Sequence, residues 1–233
     1  MGGGWRLKVG GAPARFPGRR YARLMSTTVV DHPLAAHLLV SLRDRSTPPT
    51  WFRSLTKRLT TVLILEATRD LPSRPRSVAT PLEVTEGRTL VQPLVAVPIL
   101  RAGLGMLDAV VELFPEVRVG YLGLERDEAT FQPSEYYAKL PDMAEAHAFV
   151  LDPMLATGGS AVAALDSVKK AGAEWIRMVS VVSAPEGIRA LETAHPDVPV
   201  VTAAIDRELS DQAYILPGLG DFGDRLFGTE PQS

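Results

Sequence analysis

The sequence of 233 residues contains no cysteine, and none of its apolar runs reaches the 18 residues that a membrane-spanning helix requires. The absence of cysteine excludes disulfides and thiolate metal sites, and the four histidines are not spaced to complete a metal site. A formal net charge of −2 gives no general basic face for nucleic acid. The whole sequence is 45% hydrophobic and 22% charged, which is typical of a soluble, cytoplasmic protein with a well-buried core.

Residues 1–24 differ in composition from the rest of the chain. They contain six of the 25 basic residues and none of the 27 acidic ones, which leaves 19 bases against 27 acids in residues 25–233. An Arg-rich, acid-free segment is also typical of a transit peptide, but this one lacks an apolar face at helical spacing. We therefore interpret residues 1–24 as a disordered or wrongly assigned extension, with Met25 as an alternative start, and residues 25–233 as a single domain.

The chain is organised around residues 150–170. Phe149 to Leu151 predict a buried strand of a parallel sheet, and Asp152 ends it. Ala156-Thr157-Gly158-Gly159-Ser160 then places two glycines and two hydroxyls where a helix should begin, and the unpaired first-turn N–H groups and the helix dipole favour a phosphate there. A Gly-Gly-Ser turn alone also fits an ordinary strand-to-helix connection. The preceding carboxylate favours a ligand that carries sugar hydroxyls beside its phosphate.

Four motifs carry a resemblance to a known family. Residues 151–160, LDPMLATGGS, resemble the 5-phosphoribosyl 1-diphosphate (PRPP) loop of type I phosphoribosyltransferases, in the form found in the uracil phosphoribosyltransferase family. Residues 97–106, VPILRAGLGM, resemble that family's diphosphate loop, and residues 184–187 and 214–221 match its later signatures. Most type I members carry two adjacent acids in the PRPP loop. Pro153 takes the second place here, as in the uracil-specific branch.

The similarity runs in order from Asp31 to Gly228, and it implies a fold, a reaction and a set of site residues. The implied fold is the α/β type I phosphoribosyltransferase fold, with a mainly parallel central sheet flanked by helices, a flap and a C-terminal hood. The implied reaction belongs to pyrimidine salvage: uracil and PRPP give uridine 5′-monophosphate (UMP) and diphosphate, with Mg2+ bound mainly through PRPP. The implied catalytic residues are Arg101, Asp152 and Asp221. By position, the PRPP site comprises Arg101, Arg126, Asp152, Pro153, Met154, Leu155, Ala156, Thr157, Gly158, Gly159, Ser160 and Asp221, and the uracil site comprises Ile215, Gly220, Asp221 and Phe222.

Elementary chemistry supports several of these roles. Arg101 follows the predicted strand Leu94–Leu100, at the carboxyl end where open α/β sheets bind ligands, and its planar fork suits a diphosphate better than a lysine would. Arg126 lies in the polar, turn-rich stretch 125–141, which matches the family's flap. Residues 218–223 satisfy GxGxxG, but too few residues follow for a dinucleotide-binding fold. Their glycine backbone instead lets N–H and C=O groups read the edge of a pyrimidine.

Hydrophobic periodicity predicts further elements along the chain. A short hairpin arm is predicted from Thr80 to Thr89, with its turn at Glu86-Gly87. Helices are predicted at Leu34 to Leu42, Phe52 to Glu66, Leu104 to Phe114, Gly159 to Ala171 and Pro185 to His195, and further strands at Val117 to Leu124, Trp175 to Ser183 and Val198 to Ile205.

Two alternative functions remain open at this stage. The first is an RNA-binding regulator on the same fold, as in the pyrimidine attenuation proteins; the acidic balance of residues 25–233 argues against it. The second is a phosphoribosyltransferase for another base, because hood contacts made by backbone are poorly visible in sequence. The resemblance also suggests a homodimer or larger homo-oligomer. Some relatives respond to GTP, which makes GTP a candidate effector.

Overall fold

The computed structural model describes residues 27–126 and 133–229. The predicted extension at 1–24 and residues 127–132 of the predicted flap lie outside the described residues. The helices are α1 (Pro33–Arg43), α2 (Pro49–Ala67), α3 (Leu104–Leu113), α4 (Gly159–Lys170), α5 (Pro185–Ala194) and α6 (Phe222–Phe227). The strands are β1 (Thr27–Val29), β2 (Ser73–Ala79), β3 (Val84–Leu90), β4 (Leu94–Leu100), β5 (Arg118–Val119), β6 (Tyr121–Arg126), β7 (Pro133–Lys139), β8 (His147–Leu151), β9 (Met154–Leu155), β10 (Trp175–Ser183), β11 (Val200–Ile205), β12 (Glu208–Leu209) and β13 (Ile215–Leu216).

A mainly parallel sheet runs through the centre of the molecule in the strand order β1-β11-β10-β8-β4-β6-β7. Neighbours from β1 to β6 in this order are parallel, and β7 pairs antiparallel with β6. The near-continuous apolar sequence of β4, LVAVPIL, explains its central place, because parallel strands are covered on both faces. The predicted α/β fold with a mainly parallel sheet is confirmed.

Helices cover both faces of this sheet. On one face, α1, α2, α3 and α6 share a core that includes Phe52 and Met106, both fully buried. On the other face, α4 and α5 pack through Leu165 and Leu191, which are also fully buried. Within residues 27–126 and 133–229, no helix has the length and apolar character needed to cross a membrane.

The hairpin arm is longer than predicted, and its turn lies elsewhere. β2 and β3 pair along their whole length, and the last pair joins Ala79 to Val84, so the predicted turn at Glu86-Gly87 is wrong. The chain reverses at Thr80, whose N–H donates to the carbonyl of Glu83 (2.9 Å) and whose hydroxyl accepts from the N–H of Glu83 (3.0 Å). A threonine hydroxyl that bonds to the backbone within a turn competes well with a glycine signal further along the chain.

The flap extends the sheet instead of forming an irregular loop. β6 and β7 make an antiparallel hairpin with a register shift at Gly123 and Leu124. The sequence of β7, PSEYYAK, has little apolar character, as is typical of an edge strand, so hydrophobic pattern alone did not reveal it. The single strand predicted from Val117 to Leu124 is divided into β5 and β6.

The pairing of β4 with β8 brings two predicted site residues to one edge of the sheet. Pro98 is paired with Leu151 in this register, so Arg101 and Asp152 follow neighbouring parallel strands at their carboxyl ends. Open α/β sheets bind ligands at this edge.

Candidate active site

The loop between β8 and α4 leads into the N-terminus of α4, and we call residues 156–160 the cradle. β9 pairs with the end of β10 and thereby holds the start of this loop. Gly158, with φ of 85°, turns the chain through a left-handed conformation into α4 and has no side chain that could cap the helix. Thr157 and Ser160 are exposed beside it. The first-turn N–H groups and the helix dipole of α4 favour an anion at this end of the helix, and binding of a phosphate there stays a prediction.

The first turn of α5 packs directly under the cradle. A Cβ added to Gly187 would lie 2.5 Å from the carbonyl oxygen of Ala156 and 2.7 Å from that of Leu155. A Cβ on Gly158 would lie 2.7 Å from the Cβ of Ala190. Two glycines therefore permit a close approach of loop and helix. The sequence analysis placed Gly187 in a family motif without assigning it this role.

Asp152 stands between the end of β8 and the cradle. Its N–H donates to the carbonyl of Val179 (3.2 Å), and its Oδ1 accepts from the N–H of Met154 (3.4 Å). Burial raises the pKa of the Asp152 carboxyl from 3.8 to about 7, and the hydrogen bond from Met154 lowers it by less. The residue nevertheless keeps partial access to solvent, so a ligand hydroxyl can reach it. The sequence analysis assumed an ionised Asp152, whereas the free protein holds it in both protonation states near neutral pH.

Arg101 lies in the diphosphate loop with 61% of its side chain exposed. The Leu100–Arg101 peptide bond is cis. The Nη2 atom of Arg101 lies 3.6 Å from Oδ1 of Asp224, and its guanidinium carbon lies 5.8 Å from the ring centroid of Phe227. Arg101, the residue predicted to bind diphosphate, thus contacts α6 of the hood.

The C-terminal hood comprises residues 214–228 and contains the four predicted uracil contacts. Ile215 and Phe222, two of the predicted uracil contacts, have 3% and 2% of their surface exposed, and Phe222 packs edge-on against Phe52 at 4.9 Å. Their side chains belong to the core, so only their backbone groups can face a ligand. Gly220 is exposed with φ of 71°. Asp221 is also exposed and caps α6, with its Oδ1 accepting from the N–H of residue 224 (2.9 Å).

An ion pair that the sequence analysis did not predict anchors the hood. Arg43 of α1 donates to both carboxylate oxygens of Asp206, at 2.6 and 2.8 Å, and to the carbonyl of Gly218 at 2.9 Å. Asp206 also accepts from the N–H of Gly218 (2.9 Å). Asp206, which directly follows β11, is therefore an anchor of the hood. Because 163 residues separate Arg43 from Asp206, no local pattern indicates the pair.

A second arginine fixes α6 from inside the protein. Arg225 has 8% of its surface exposed, and its Nη1 donates to the carbonyls of Leu42 (2.6 Å) and Leu219 (2.8 Å). Its guanidinium carbon lies 4.4 Å from the ring centroid of Phe52. A buried arginine with several carbonyl partners holds the hood rigidly against α1 and α2.

The flap contacts α4 and packs on itself. The ring of Tyr136 lies over Gly123, where an added Cβ would be 2.5 Å from the ring. Glu135 accepts a hydrogen bond from the hydroxyl of Ser167 on α4 (2.6 Å). Tyr136 thus packs within the flap. Arg126 ends β6, but its side chain lies outside the described part of the molecule, so its contact with diphosphate stays a prediction.

His195 is the C-cap residue of α5. Lys169 of α4 donates to its Nδ1 (3.1 Å), so the ring proton resides on Nε2, which donates to the carbonyl of Val162 (3.2 Å). His195 therefore links α4 to α5 and has a structural role.

Several known proteins are similar to this chain over most of its length. Residues 29–229 match the family model described as uracil phosphoribosyltransferase. A uracil phosphoribosyltransferase from Dictyoglomus turgidum is 50% identical over 204 residues, covering 87% of this chain and 99% of the relative. One from Salinibacter ruber is 50% identical over 205 residues, covering 88% and 98%. A solved structure of a protein from Aquifex aeolicus has a TM-score of 0.83 at 35% identity, covering 87% of this chain and 98% of that one.

Proposed function

The chain belongs to the uracil phosphoribosyltransferase family, and we propose that it converts uracil and PRPP into UMP and diphosphate. The observation that supports this proposal most directly is the cradle at the start of α4, against which the first turn of α5 packs through Gly187. The pairing of β4 with β8 brings Arg101 to the same edge of the sheet. A terminal phosphate in the cradle and a diphosphate beside the arginine are the two charged ends of PRPP.

The proposed reaction exchanges one bond at the anomeric carbon. A bond forms between N1 of uracil and C1′ of the ribose, while the bond between C1′ and the diphosphate oxygen breaks. Uracil releases its N1 proton to solvent, and the electron pair of the broken bond stays on diphosphate. Arg101 and Arg126 neutralise this charge, because guanidinium groups bind phosphate oxygens with paired, charge-assisted hydrogen bonds.

Positioning of PRPP falls to Asp152 and residues 153–160. Asp152 accepts hydrogen bonds from the ribose hydroxyls, and each such bond favours its ionised form against the burial that raises its pKa to about 7. Thr157 to Ser160 bind the 5′-phosphate through N–H groups and hydroxyls. Holding both substrates in line supplies much of the rate enhancement in reactions of this kind.

Recognition of uracil is proposed for the hood backbone at Ile215, Gly220, Asp221 and Phe222. A uracil edge alternates carbonyl acceptors with an N–H donor, and backbone N–H and C=O groups offer the complementary pattern. Gly218 and Gly220, both with positive φ, allow the tight turns that this requires. The exposed carboxylate of Asp221 lies beside this backbone and is proposed to contact the ribose side of PRPP.

Magnesium is proposed to arrive with PRPP. Among the described residues, no group of three or more His, Asp or Glu side chains is arranged to hold a metal ion. Oxygen atoms of diphosphate and ribose are the ligands that Mg2+ prefers, and the exposed carboxylate of Asp221 fits the same chemistry. When bound, the ion neutralises charge on the leaving diphosphate.

An assay of diphosphate release with a panel of bases tests this function. Release is expected with uracil and PRPP, together with UMP formation, and much less with cytosine, hypoxanthine or adenine. Release with a purine but not with uracil would assign a different base to the hood. No release with any base would refute phosphoribosyl transfer.

Three further proposals accompany this function. We place the protein in the cytoplasm, where a salvage enzyme finds its substrates, and treat residues 25–233 as the functional domain. We also propose a homodimer or larger homo-oligomer. This is supported by the exposed apolar side chains of Leu82 (96%) and Val84 (70%) on the β2–β3 hairpin. Sedimentation velocity tests the assembly, and titration with GTP tests whether that nucleotide acts as an effector.

A further inference from the structure

We propose that Asp224 is a positioning residue of the reaction, which holds Arg101 against the hood in the free protein and competes with diphosphate for it. The inference rests on the proposed function, because it gives Arg101 a diphosphate partner. No family motif quoted above includes Asp224, since the last one ends at residue 221.

The contact joins the two halves of the site. Oδ1 of Asp224 lies 3.6 Å from Nη2 of Arg101, and the ring of Phe227, one turn further along α6, lies 5.8 Å from the same guanidinium group. A carboxylate and an aromatic face on one helix therefore hold the cation from two sides. The carboxylate and a diphosphate are both anions that bind a guanidinium through charge-assisted contacts, so they compete for Arg101.

Asp224 is itself held in place. Its Oδ1 accepts a hydrogen bond from the hydroxyl of Thr229 (2.6 Å), and its N–H donates to Asp221 (2.9 Å). Its helix is fixed by the buried Arg225. Asp224 is therefore fixed on α6, and from this position its carboxylate competes with a diphosphate for Arg101.

The diphosphate loop packs against the same helix. A Cβ added to Gly105, in the first turn of α3, would lie 2.8 Å from a methyl group of Leu226. Arg53 of α2 donates to the carbonyl of Leu226 (2.8 Å) and fixes α6 from a third side. Because loop and hood are in contact, a change of partner at Arg101 also changes the charge that Asp224 presents beside Asp221.

The expected effect of removing this competition is modest. Arg101 is 61% exposed and Asp224 is 28% exposed, so the pair belongs to the weak, partly solvated class. Its loss is expected to strengthen diphosphate binding by about two- to fivefold, which is the range for such pairs.

The experiment measures binding of magnesium diphosphate to the full chain by isothermal titration calorimetry. Asp224→Asn keeps the size of the side chain and an acceptor for Thr229, but it removes the charge that holds Arg101. Asp211→Asn removes one charge from the exposed turn between β12 and β13, and it is the matched control. We expect tighter diphosphate binding for Asp224→Asn and unchanged binding for Asp211→Asn.

A double-mutant cycle separates competition from general charge repulsion. In an Arg101→Gln background, Asp224→Asn is expected to have no effect, because there is no guanidinium left to release. An equal gain in both backgrounds would overturn the proposal, since it would mean that Asp224 merely repels the anion.

A third variant tests a purely structural role. Thr229→Val removes the hydrogen bond to Asp224 but keeps the carboxylate, so it should lower the thermal midpoint without tightening diphosphate binding. Weaker binding and a lower midpoint in Asp224→Asn would overturn the proposal. Formation of UMP by the wild-type protein is read separately: its absence refutes the proposed function, whereas its presence with unchanged binding in Asp224→Asn refutes only the role of Asp224.

Discussion

Replacing Asp152 by asparagine is expected to stabilise the free protein at pH 8 while abolishing most of its activity. The pKa of Asp152 is raised by burial from 3.8 to about 7, so above pH 7 the folded protein holds a buried charge that the unfolded chain exposes to water. The stability that the protonated form contributes is complete below pH 3.8 and is lost as the pH rises through 7. A difference of about three pKa units corresponds to about 4 kcal/mol, and the partial solvent access of the residue reduces this figure.

In the wild-type protein, His147 gives the free energy of unfolding the opposite pH dependence. Burial, with the nearby charge of Arg177, lowers the pKa of His147 from 6.5 to about 4. Its neutral form contributes stability that is present above pH 6.5 and is lost as the pH falls through 4, by about 3 kcal/mol over that window. The two groups nearly cancel, so the wild-type protein should show a shallow pH dependence. In Asp152→Asn the free energy of unfolding should therefore rise with pH between pH 4 and 6.5, because the opposing contribution of Asp152 is gone.

Urea unfolding of the ligand-free protein at pH 5, 6, 7 and 8 measures both effects. The free energy of unfolding of Asp152→Asn, relative to wild type, should rise steadily from pH 5 to pH 8. Asp211→Asn, an exposed change of equal charge, should show no such trend. If Asp152→Asn is less stable than wild type at pH 8, or if the difference between the two proteins does not depend on pH, the pKa of Asp152 is not raised by burial.

Four further substitutions and one truncation test the remaining roles. Arg101→Ala should lower kcat much more than it raises the KM for uracil, by about 2.7–4 kcal/mol of transition-state stabilisation if the guanidinium faces developing charge; unchanged turnover would make Arg101 structural. Gly187→Ala should raise the KM for PRPP and destabilise the protein by about 1–3 kcal/mol, because its Cβ meets two backbone carbonyls at 2.5 and 2.7 Å. Gly172→Ala, at the far end of α4 with open space around its Cβ, should affect only stability, as urea unfolding and steady-state kinetics will show. Asp221→Asn should lower turnover strongly with little loss of stability, and unchanged turnover with tight, sequence-selective binding of pyrimidine-operon RNA in a filter-binding assay would favour the regulator instead. A chain starting at Met25 should keep full activity and thermal midpoint, and a midpoint several degrees lower would show that residues 1–24 contribute to the fold.

Strands and helices with a strong apolar pattern were predictable from the sequence. β4 has the predicted bounds because its seven residues are apolar throughout. β10 also has the predicted bounds, and most of its nine residues are apolar. The polar edge strand β7 and the three-residue strand β1 carry no such pattern. The hairpin turn was misplaced because composition favoured Glu86-Gly87, while the hydroxyl of Thr80 forms the actual turn.

The candidate site divides in the same way. The cradle at Gly158 follows from local chemistry, since glycines before a helix present N–H groups whatever the rest of the chain does. The ion pair of Arg43 with Asp206 and the contact of Arg101 with Asp224 depend on tertiary packing, which one sequence does not display. The burial of Phe222 shows the converse limit, because a motif transferred by position does not say whether a side chain or a backbone group faces the ligand.

The β2–β3 hairpin has a consequence for hydrogen exchange. It forms a two-stranded sheet of its own with mostly exposed residues, whereas β8 is paired on both sides at the centre of the large sheet. Amide protons of the hairpin therefore exchange after a local opening, while those of β8 require opening of most of the molecule. A second subunit that covers Leu82 and Val84 would slow only the hairpin amides, and it would do so in proportion to its occupancy. Deuterium uptake at residues 73–90, measured over a series of protein concentrations, would then give the association constant of such an assembly.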